Sequence, residues 1–182
     1  SSDLMGVIGT GVLGRHHARL YRECAGVELV GIYDSNHEVA QTVAQELGLR
    51  VFPSIEELAA QVDGVSIAVP THLHFEQVTR LLDLGVHVLV EKPITETVEQ
   101  AKPLVAKAAE KQLVLAVGHV ERFNPVLETL QEAPGRVIYV EGQRFAPYPP
   151  PRPGLHPRGT EVSVVHDLMI HDIDVIPSLI DS

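Results

Sequence analysis

Three short segments of the chain carry side chains that could do chemistry together. Lys92 lies in the run Val90-Glu91-Lys92-Pro93, directly after an apolar segment, and Gly9-Thr10-Gly11-Val12-Leu13-Gly14 is rich in glycine. A third segment, Asp167-Leu168-Met169-Ile170-His171-Asp172, places a carboxylate and an imidazole four positions apart. A lysine that donates to a hydroxyl group, next to an acid/base pair, is suited to removing a proton from a hydroxylated substrate. The sequence therefore points to an enzyme.

The glycine run follows a predicted strand and opens a predicted helix, which is the context a dinucleotide-binding turn needs. Gly9 permits a tight turn, Gly11 lets backbone amides approach a pyrophosphate, and Gly14 lets helix and strand pack closely. The amino terminus of the helix then favours the anion. The predicted cofactor-binding residues of this turn are Gly9, Thr10, Gly11, Val12, Leu13 and Gly14.

Asp34 follows the turn by about twenty residues, at the end of the second predicted strand. Its carboxylate is placed to accept hydrogen bonds from ribose hydroxyls and would repel a 2′-phosphate, so the sequence favours NAD over NADP. The alternative is that the glycines only close a turn and that Asp34 caps the helix that follows.

Residues just after the other strands are candidates by position, because ligands of open parallel sheets bind beyond the carboxyl ends of the strands. Lys92, held by the proline after it, is predicted to donate to a substrate hydroxyl and to stabilise developing oxyanion charge. An isolated lysine at a strand end is otherwise a solvated side chain. The same position predicts cofactor contacts for Pro70, Thr71, His74, Glu91 and Lys92.

Asp167 and His171 are four apart in a predicted helix, which places them on one face. An imidazole titrates near neutral pH and could accept the hydroxyl proton while hydride leaves the same carbon, with the acid orienting it or sharing the proton. An ordinary helix-stabilising pair is one alternative. A metal site is another, with His166, Asp172 and Asp174 as further ligands. Because Asp172 and Asp174 cannot both share the face of the pair, and no zinc-type Cys/His spacing occurs, we predict no metal.

These residues must be positioned by the elements around them. Short β-branched runs alternate with stretches of helical period, which is typical of βαβ units and predicts a doubly wound parallel α/β sheet. Strands are predicted at Met5–Ile8, Val27–Tyr33, Arg50–Phe52, Gly64–Val69, Val86–Val90 and Leu113–Val117. Helices are predicted at Leu13–Glu23, His37–Leu47, Ile55–Ala60, His74–Leu84 and Val98–Lys111.

The pattern changes after residue 120. Arg136–Phe145 is predicted as one long strand and Val164–Ile180 as a helix. The proline-rich tract Pro147–Pro157 is interpreted as a stiff loop or connector, with an SH3-type ligand as the alternative. We therefore predict a dinucleotide-binding domain over residues 1–120 and part of a second, α+β open-sheet domain over residues 121–182.

Composition excludes several classes of protein. The chain has 182 residues, enough for one domain or for one domain and part of another. Its net charge of −10, without a basic cluster, argues against nucleic-acid binding. No apolar stretch approaches the roughly 20 residues of a membrane span. A single cysteine, Cys24, and the lack of a cationic leader lead us to expect the reducing cytoplasm.

At these residues the chain resembles the Gfo/Idh/MocA oxidoreductases, which pair a Rossmann domain with an open-sheet domain and oxidise or reduce sugars, inositols and related compounds with NAD(P). The matching motifs are the glycine run, Asp34, Glu91-Lys92-Pro93 and the Asp167/His171 pair. Residues 119–125 and 168–174 look most like the nucleotide-sugar branch, which oxidises the 3-hydroxyl of UDP-N-acetylglucosamine or its uronate.

The resemblance implies an NAD-dependent oxidoreductase that removes hydride from a secondary hydroxyl of a nucleotide sugar. It implies Lys92 and His171 as the acid/base and electrostatic residues, and we expect His171 to be the base. Asp167 would contact the substrate or share the proton, and Arg122 and Asn124 would lie on the substrate side with Lys92 and His171. An inositol or free-sugar dehydrogenase of the same family and a non-catalytic NAD-binding sensor remain alternatives.

Members of this family are considerably longer than this chain. We therefore expect the chain to contain only the beginning of the second domain. In the family that domain supports the substrate pocket and commonly the oligomer interface, so a homo-oligomer is also expected.

Overall fold

The computed structural model of the protein describes residues 2–131, 138–145 and 163–180. The chain forms two units, Ser1–Gly118 and His119–Ser182. The predicted connector Pro147–Pro157 lies outside the described residues. Within the part that is described, no helix is long and apolar enough to cross a membrane.

A five-stranded parallel sheet forms the centre of the first unit. Its strands are β1 (Asp3–Ile8), β2 (Val27–Tyr33), β3 (Gly64–Ile67), β4 (His87–Val90) and β5 (Leu115–Val117). They lie in the order β2-β1-β3-β4-β5, so the direction of winding reverses beside β1. The helices are α1 (Val12–Glu23), α2 (His37–Leu47), α3 (Ile55–Ala59), α4 (His74–Asp83) and α5 (Val98–Glu110). The predicted doubly wound α/β fold is confirmed.

Two hydrophobic clusters cover the two faces of the sheet. Successive residues of a strand point to opposite faces. Val7 accordingly belongs to one cluster, with Ala18 of α1 and Val43 of α2, whereas Ile8 belongs to the other, with side chains from α3, α4 and α5. Helices α1 and α2 thus pack on one face and α3, α4 and α5 on the other. Every residue of β3 is buried, which explains the almost continuous apolar sequence of the central strands.

Most predicted strands and helices are found within a few residues of their predicted ends. The strand predicted at Arg50–Phe52 is wrong, because the chain there forms only one isolated bridge, between Val51 and Ile32. Pro53 follows at once and has no backbone N–H to continue a ladder. Strand β5 begins two positions later than predicted, because the Val114 amide donates to the Nδ1 atom of His87 instead of joining the sheet.

The second unit contains α6 (Pro125–Gln131) and α7 (Ile170–Ile180), the latter preceded by a π-helical turn at Val165–Met169. The helix predicted near Val164–Ile180 is therefore present, with a widened first turn. The strand predicted at Arg136–Phe145 is wrong for its described part, since residues 138–145 pair with no other described strand. Alternating side chains cannot make a strand without a neighbour to accept its hydrogen bonds.

Candidate functional site

The carboxyl ends of the strands lie in register. Ile8 pairs with Ile67, Ile67 with Val90, and Val90 with Val117. The residues that follow the strands therefore form one row along the sheet, which we call the carboxyl edge, made up of Asp34, Gly9, Ala68, Glu91 and Gly118. In parallel sheets this edge is where ligands bind, beside the point where the strand order reverses. The glycine run and Lys92 both lie there, two strands and roughly 10 Å apart.

The three glycines of the turn differ in what a side chain would meet at each position. Gly9 has a φ of +84°, and a Cβ atom there would lie 2.8 Å from the Ala68 carbonyl. A Cβ atom on Gly14 would run into the Gly9 carbonyl oxygen. Around Gly11, by contrast, an added Cβ would meet no described atom within 4 Å. The first and third glycines are required by the fold, whereas the second leaves open space at the carboxyl edge.

The amino terminus of α1 is left without a side-chain cap. Helices α2, α3 and α5 are preceded by Asn36, Ser54 and Thr97, whose side chains accept hydrogen bonds from first-turn amides. Helix α1 is preceded by Gly11, and within the described part of the chain no side chain caps it and no acid lies in its first turn. The positive end of this helix is therefore available to an anion. A cleft of about 500 Å³ adjoins it, lined by Thr10, Gly11, Val12, Arg15, His16, Val39, Thr42 and Val43.

Asp34 is half-buried at the end of β2. Its Oδ2 atom accepts hydrogen bonds from the backbone amide of Thr10 at 2.6 Å and from its hydroxyl at 3.0 Å. Its Oδ1 atom accepts one from the Asn36 amide at 2.8 Å, while Asn36 itself caps α2. An ionised carboxylate has about four acceptor positions, so capacity remains for a ribose hydroxyl. The open Gly11, the uncapped helix and the fixed acid together fit a dinucleotide.

Glu91 is only 7% exposed, directly after β4. Its Oε1 atom lies 2.8 Å from His17 Nε2, and its Oε2 atom accepts a hydrogen bond from the Lys92 amide at 3.3 Å. Burial raises the pKa of Glu91, but the hydrogen bonds and the charges of His17 and Lys92 together lower it by more, so the pKa lies below its ordinary value. A Cβ atom on Gly118 would lie 3.1 Å from the same carboxylate. The predicted cofactor contact of Glu91 stays a prediction.

Lys92 is half-buried at the carboxyl edge, and its peptide bond to Pro93 is cis. His74 is 1% exposed, with Nδ1 2.8 Å from the Pro93 carbonyl oxygen and Nε2 2.9 Å from that of Val69. Both ring nitrogens of His74 thus contact the fold itself, although a cofactor contact was predicted for it. Of the other two candidates after β3, Pro70 is exposed and Thr71 is half-buried.

Asp167 and His171 are both half-buried in the second unit. Asp167 lies in the π-helical turn and His171 in the first turn of α7. The turn is closed by the Ile170 amide, which donates to the Val165 carbonyl five residues earlier. This wider turn replaces the α-helical spacing assumed from the sequence. Turns of this kind are frequent at functional sites.

Arg122 and Asn124, predicted on the substrate side, take part in the fold of the second unit. The Arg122 guanidinium donates to both oxygens of Asp174 at 2.6 and 2.7 Å, and this hydrogen bonding holds the pKa of Asp174 below its ordinary value. Asn124 Oδ1 accepts a hydrogen bond from the Val126 amide at 3.1 Å and so caps α6, with Pro125 in its first position. Their substrate contacts stay predictions.

Two of the three acids weighed as metal ligands, Asp172 and Asp174, are paired with arginines. Asp174 binds Arg122, and Asp172 accepts hydrogen bonds from Arg144 at 2.9 to 3.2 Å. Over the described ranges, no group of three His, Cys, Asp or Glu side chains is arranged to hold a metal ion.

Sequence reasoning missed His17. Its partner Glu91 is 74 positions away, so no local spacing links the two residues. The partner of the Thr10 hydroxyl was missed for the same reason, since Asp34 follows another strand, 24 positions along the chain.

The chain is similar in sequence and in fold to known oxidoreductases. The chain is 44% identical over 171 residues to UDP-N-acetylglucosamine 3-dehydrogenase of Acidithiobacillus ferrooxidans, a match that covers 93% of this chain and 52% of that protein. A solved structure of UDP-N-acetylglucosamine 3-dehydrogenase GnnA from Acidithiobacillus ferrooxidans has a TM-score of 0.88 at 42% identity, covering 100% of this chain and 58% of the other. The structure of GenD2 from gentamicin A biosynthesis, in complex with NAD, has a TM-score of 0.69 at 29% identity, covering 72% and 38%.

The chain spans about half the length of the curated relative from Acidithiobacillus ferrooxidans. Residues 4–119 match the profile of a protein family described as an oxidoreductase family with an NAD-binding Rossmann fold. That range contains the glycine turn, Asp34 and Glu91-Lys92-Pro93, three of the four motifs on which the resemblance in sequence depends. The chain therefore belongs to the Gfo/Idh/MocA oxidoreductase family and contains its NAD-binding Rossmann domain.

Proposed function

We propose that the protein is an NAD-dependent oxidoreductase that removes hydride from a secondary hydroxyl of a nucleotide sugar of the UDP-N-acetylglucosamine type. The observation that carries the proposal is the position of Lys92, which follows β4 at the same carboxyl edge as the open glycine turn. The 44% identity to a UDP-N-acetylglucosamine 3-dehydrogenase, over 93% of this chain, supports the substrate class.

Each group of the first unit has a separate task in this proposal. The bare amino terminus of α1 and the space beside Gly11 bind the pyrophosphate, and Asp34 accepts hydrogen bonds from the ribose hydroxyls. Bound NAD supplies the hydride acceptor. The Lys92 ammonium group donates to the oxygen of the substrate hydroxyl and stabilises the negative charge that develops as its proton leaves. The products are a ketone and NADH, with the hydroxyl proton on a protein base.

His171 is the proposed base, and Asp167 is proposed to orient its ring or share the proton. Both assignments rest on the Asp-x-x-x-His match and on the ability of an imidazole to accept a proton near neutral pH. We also propose that the protein forms a homo-oligomer, which the family resemblance supports. The single cysteine supports a location in the reducing cytoplasm, and the net charge of −10 argues against a nucleic-acid partner.

An NADH-forming assay tests the function. The 182-residue chain, and a longer protein containing it, would be supplied with NAD and in turn with UDP-N-acetylglucosamine, its uronate, inositols and free hexoses. We expect turnover with a UDP-sugar. Reduction of NAD only by inositols or hexoses would replace the substrate class. Binding of NAD without turnover of any compound would favour a sensor.

Substitutions test the roles of the two proposed acid/base residues. Lys92→Met and His171→Asn should each lower kcat by about 10² to 10⁴-fold while NAD still binds, because neither change touches the glycine turn or Asp34. Lys102→Met is the control, since Lys102 is exposed on α5. Full turnover in both test variants would overturn the assignment.

A further inference from the structure

The segment Glu91–Pro93 is held by a histidine at each of its two ends. At one end, His17 Nε2 lies 2.8 Å from the Oε1 atom of Glu91. At the other end, His74 Nδ1 lies 2.8 Å from the carbonyl oxygen of Pro93. Lys92 stands between these two contacts. Its own amide donates to the second oxygen of Glu91.

The two histidines approach the segment from opposite faces of the sheet. His17 belongs to α1, which packs on one face through Ala18, and His74 begins α4, which packs on the other through Val78. The segment is thus contacted by residues of helices from both faces of the sheet.

The contact of His17 with Glu91 fixes the carboxylate. Glu91 is 7% exposed, and a buried carboxylate without a hydrogen-bond donor is strongly disfavoured, so the partner on Oε1 sets the direction in which the group lies. The Oε2 atom then receives the Lys92 amide. Through this carboxylate, the position of His17 is transmitted to the backbone of Lys92.

The contact of His74 joins two loops of the carboxyl edge. Its Nε2 atom lies 2.9 Å from the carbonyl oxygen of Val69, after β3, and its Nδ1 atom reaches Pro93, after β4. The ring is 1% exposed, so water does not compete for either contact. A neutral imidazole carries one N–H group and can donate to only one of the two carbonyl oxygens, whereas a ring with both nitrogens protonated can donate to both.

We propose that His17 and His74 are positioning residues that fix the backbone of Lys92 from the two faces of the sheet. The inference rests on the proposed function of Lys92. A lysine side chain has a long, flexible stem, so its ammonium group is placed accurately only when the backbone beneath it is fixed. A misplacement of about 1 Å at a reacting group is enough to cost about 10²-fold in rate.

Paired variants distinguish the loss of a hydrogen-bond donor from the loss of side-chain volume. His17→Gln keeps an N–H donor for Glu91, whereas His17→Leu removes it. His74→Asn keeps a donor near the place of Nδ1, toward Pro93, and His74→Gln keeps one near the place of Nε2, toward Val69. The exposed His37 and His72, changed to Gln, are the matched controls.

The expected kinetic result is a fall in kcat without a matching change in binding. His17→Leu and His74→Gln should lower kcat by about tenfold or more, while the KM for the sugar and the Kd for NAD change less than about twofold. His17→Gln and His74→Asn should recover most of the lost rate. A purely structural role would lower the amount of folded enzyme and would not separate His74→Asn from His74→Gln.

A second readout does not depend on activity. The lysines of the chain are Lys92, Lys102, Lys107 and Lys111. In protein labelled with ¹⁵N-lysine, the Lys92 amide signal is identified by its loss in Lys92→Arg. We expect this signal to move in His17→Leu and His74→Gln and to stay near its place in His17→Gln, His74→Asn and the controls. Unchanged signals from the other lysines show that the fold is kept.

An unmoved Lys92 signal in His17→Leu and His74→Gln would overturn the proposal, whatever the rates are. If His17→Leu does not fold, the His74 pair decides, because both of its members retain a polar side chain. Failure of the proposed function looks different. In that case Lys92→Met keeps its turnover, or no variant turns over, while the Lys92 signal still responds to the histidines.

Discussion

Asp34 accepts two hydrogen bonds from Thr10, and both end on the same carboxylate oxygen. The backbone amide of Thr10 lies in the glycine turn after β1, whereas Asp34 lies after β2, so the pair links two neighbouring strand ends. The acid that is proposed to select the cofactor is therefore fixed in direction before the cofactor binds.

The first prediction concerns this acid. Asp34→Asn should raise the Kd for NAD by about tenfold. It should also reduce the preference for NAD over NADP, because the neutral amide no longer repels a 2′-phosphate. Thr10→Ser keeps the hydroxyl donor and should retain most of the affinity, whereas Thr10→Val should lose part of it. The chain has no tryptophan to report binding, so calorimetry is the suitable measurement. An unchanged NAD/NADP ratio in Asp34→Asn would show that another group selects the cofactor.

The second prediction separates two glycines of the turn. Gly14→Ala should lower the free energy of unfolding by about 1 to 3 kcal/mol, because the new methyl group meets the Gly9 carbonyl oxygen. Gly11→Ala should leave the stability nearly unchanged, since an added Cβ meets no described atom within 4 Å and φ is −63°. It should instead weaken NAD binding by filling the space for the pyrophosphate. Urea unfolding and calorimetry measure both effects, and equal destabilisation by the two changes would contradict the assignment.

The third prediction concerns pH. The pKa of Glu91 is lower in the folded protein than its ordinary value of 4.5, so the unfolded chain binds the proton more readily. The stability that Glu91 contributes is therefore fully present above pH 4.5 and is lost as the pH falls through the folded pKa. Unfolding by urea between about pH 7 and pH 3 should show a shallower loss of stability in Glu91→Gln than in the parent. The control is Glu110→Gln at an exposed position, and parallel curves for the parent and Glu91→Gln would count against the prediction.

The fourth prediction distinguishes two roles of Asn124. As the cap of α6, it should tolerate Ser or Asp, which offer the same acceptor, whereas Asn124→Ala should destabilise α6 by about 1 kcal/mol. Amide hydrogen exchange over residues 126–131 of the whole chain is the measurement. If Asn124→Ser protects the helix but raises the KM for the sugar, the predicted substrate contact of Asn124 gains support.

Local sequence was sufficient for most of the Rossmann unit. The strand, glycine turn and helix from Val7 to Gly14 follow one another along the chain, and each carries its own signal. The alternation of Val7 and Ile8 in β1 gives an apolar side chain to each face of the sheet, so helices are expected to cover both faces. Such features depend on neighbours only a few positions away.

The parts that escaped prediction depend on distant partners. The His17–Glu91 contact spans 74 positions, and neither residue carries a local sign of the other. The same holds for residues 138–145, which alternate as a strand does but lack a described partner. The strand at Arg50–Phe52 was overestimated, because Pro53 cannot continue a ladder and the chain there forms only one bridge, at Val51.

The uncapped amino terminus of α1 links the binding of the cofactor to the stability of the folded protein. Asn36 caps the first amides of α2, whereas no described side chain caps α1, so NAD bound there as proposed would contribute to the folding equilibrium. At a hundred times its Kd, a ligand that binds only the folded state adds about 2.7 kcal/mol. A cell that runs short of NAD would then hold a larger unfolded fraction of this protein, and its resistance to proteolysis would follow the supply of dinucleotide.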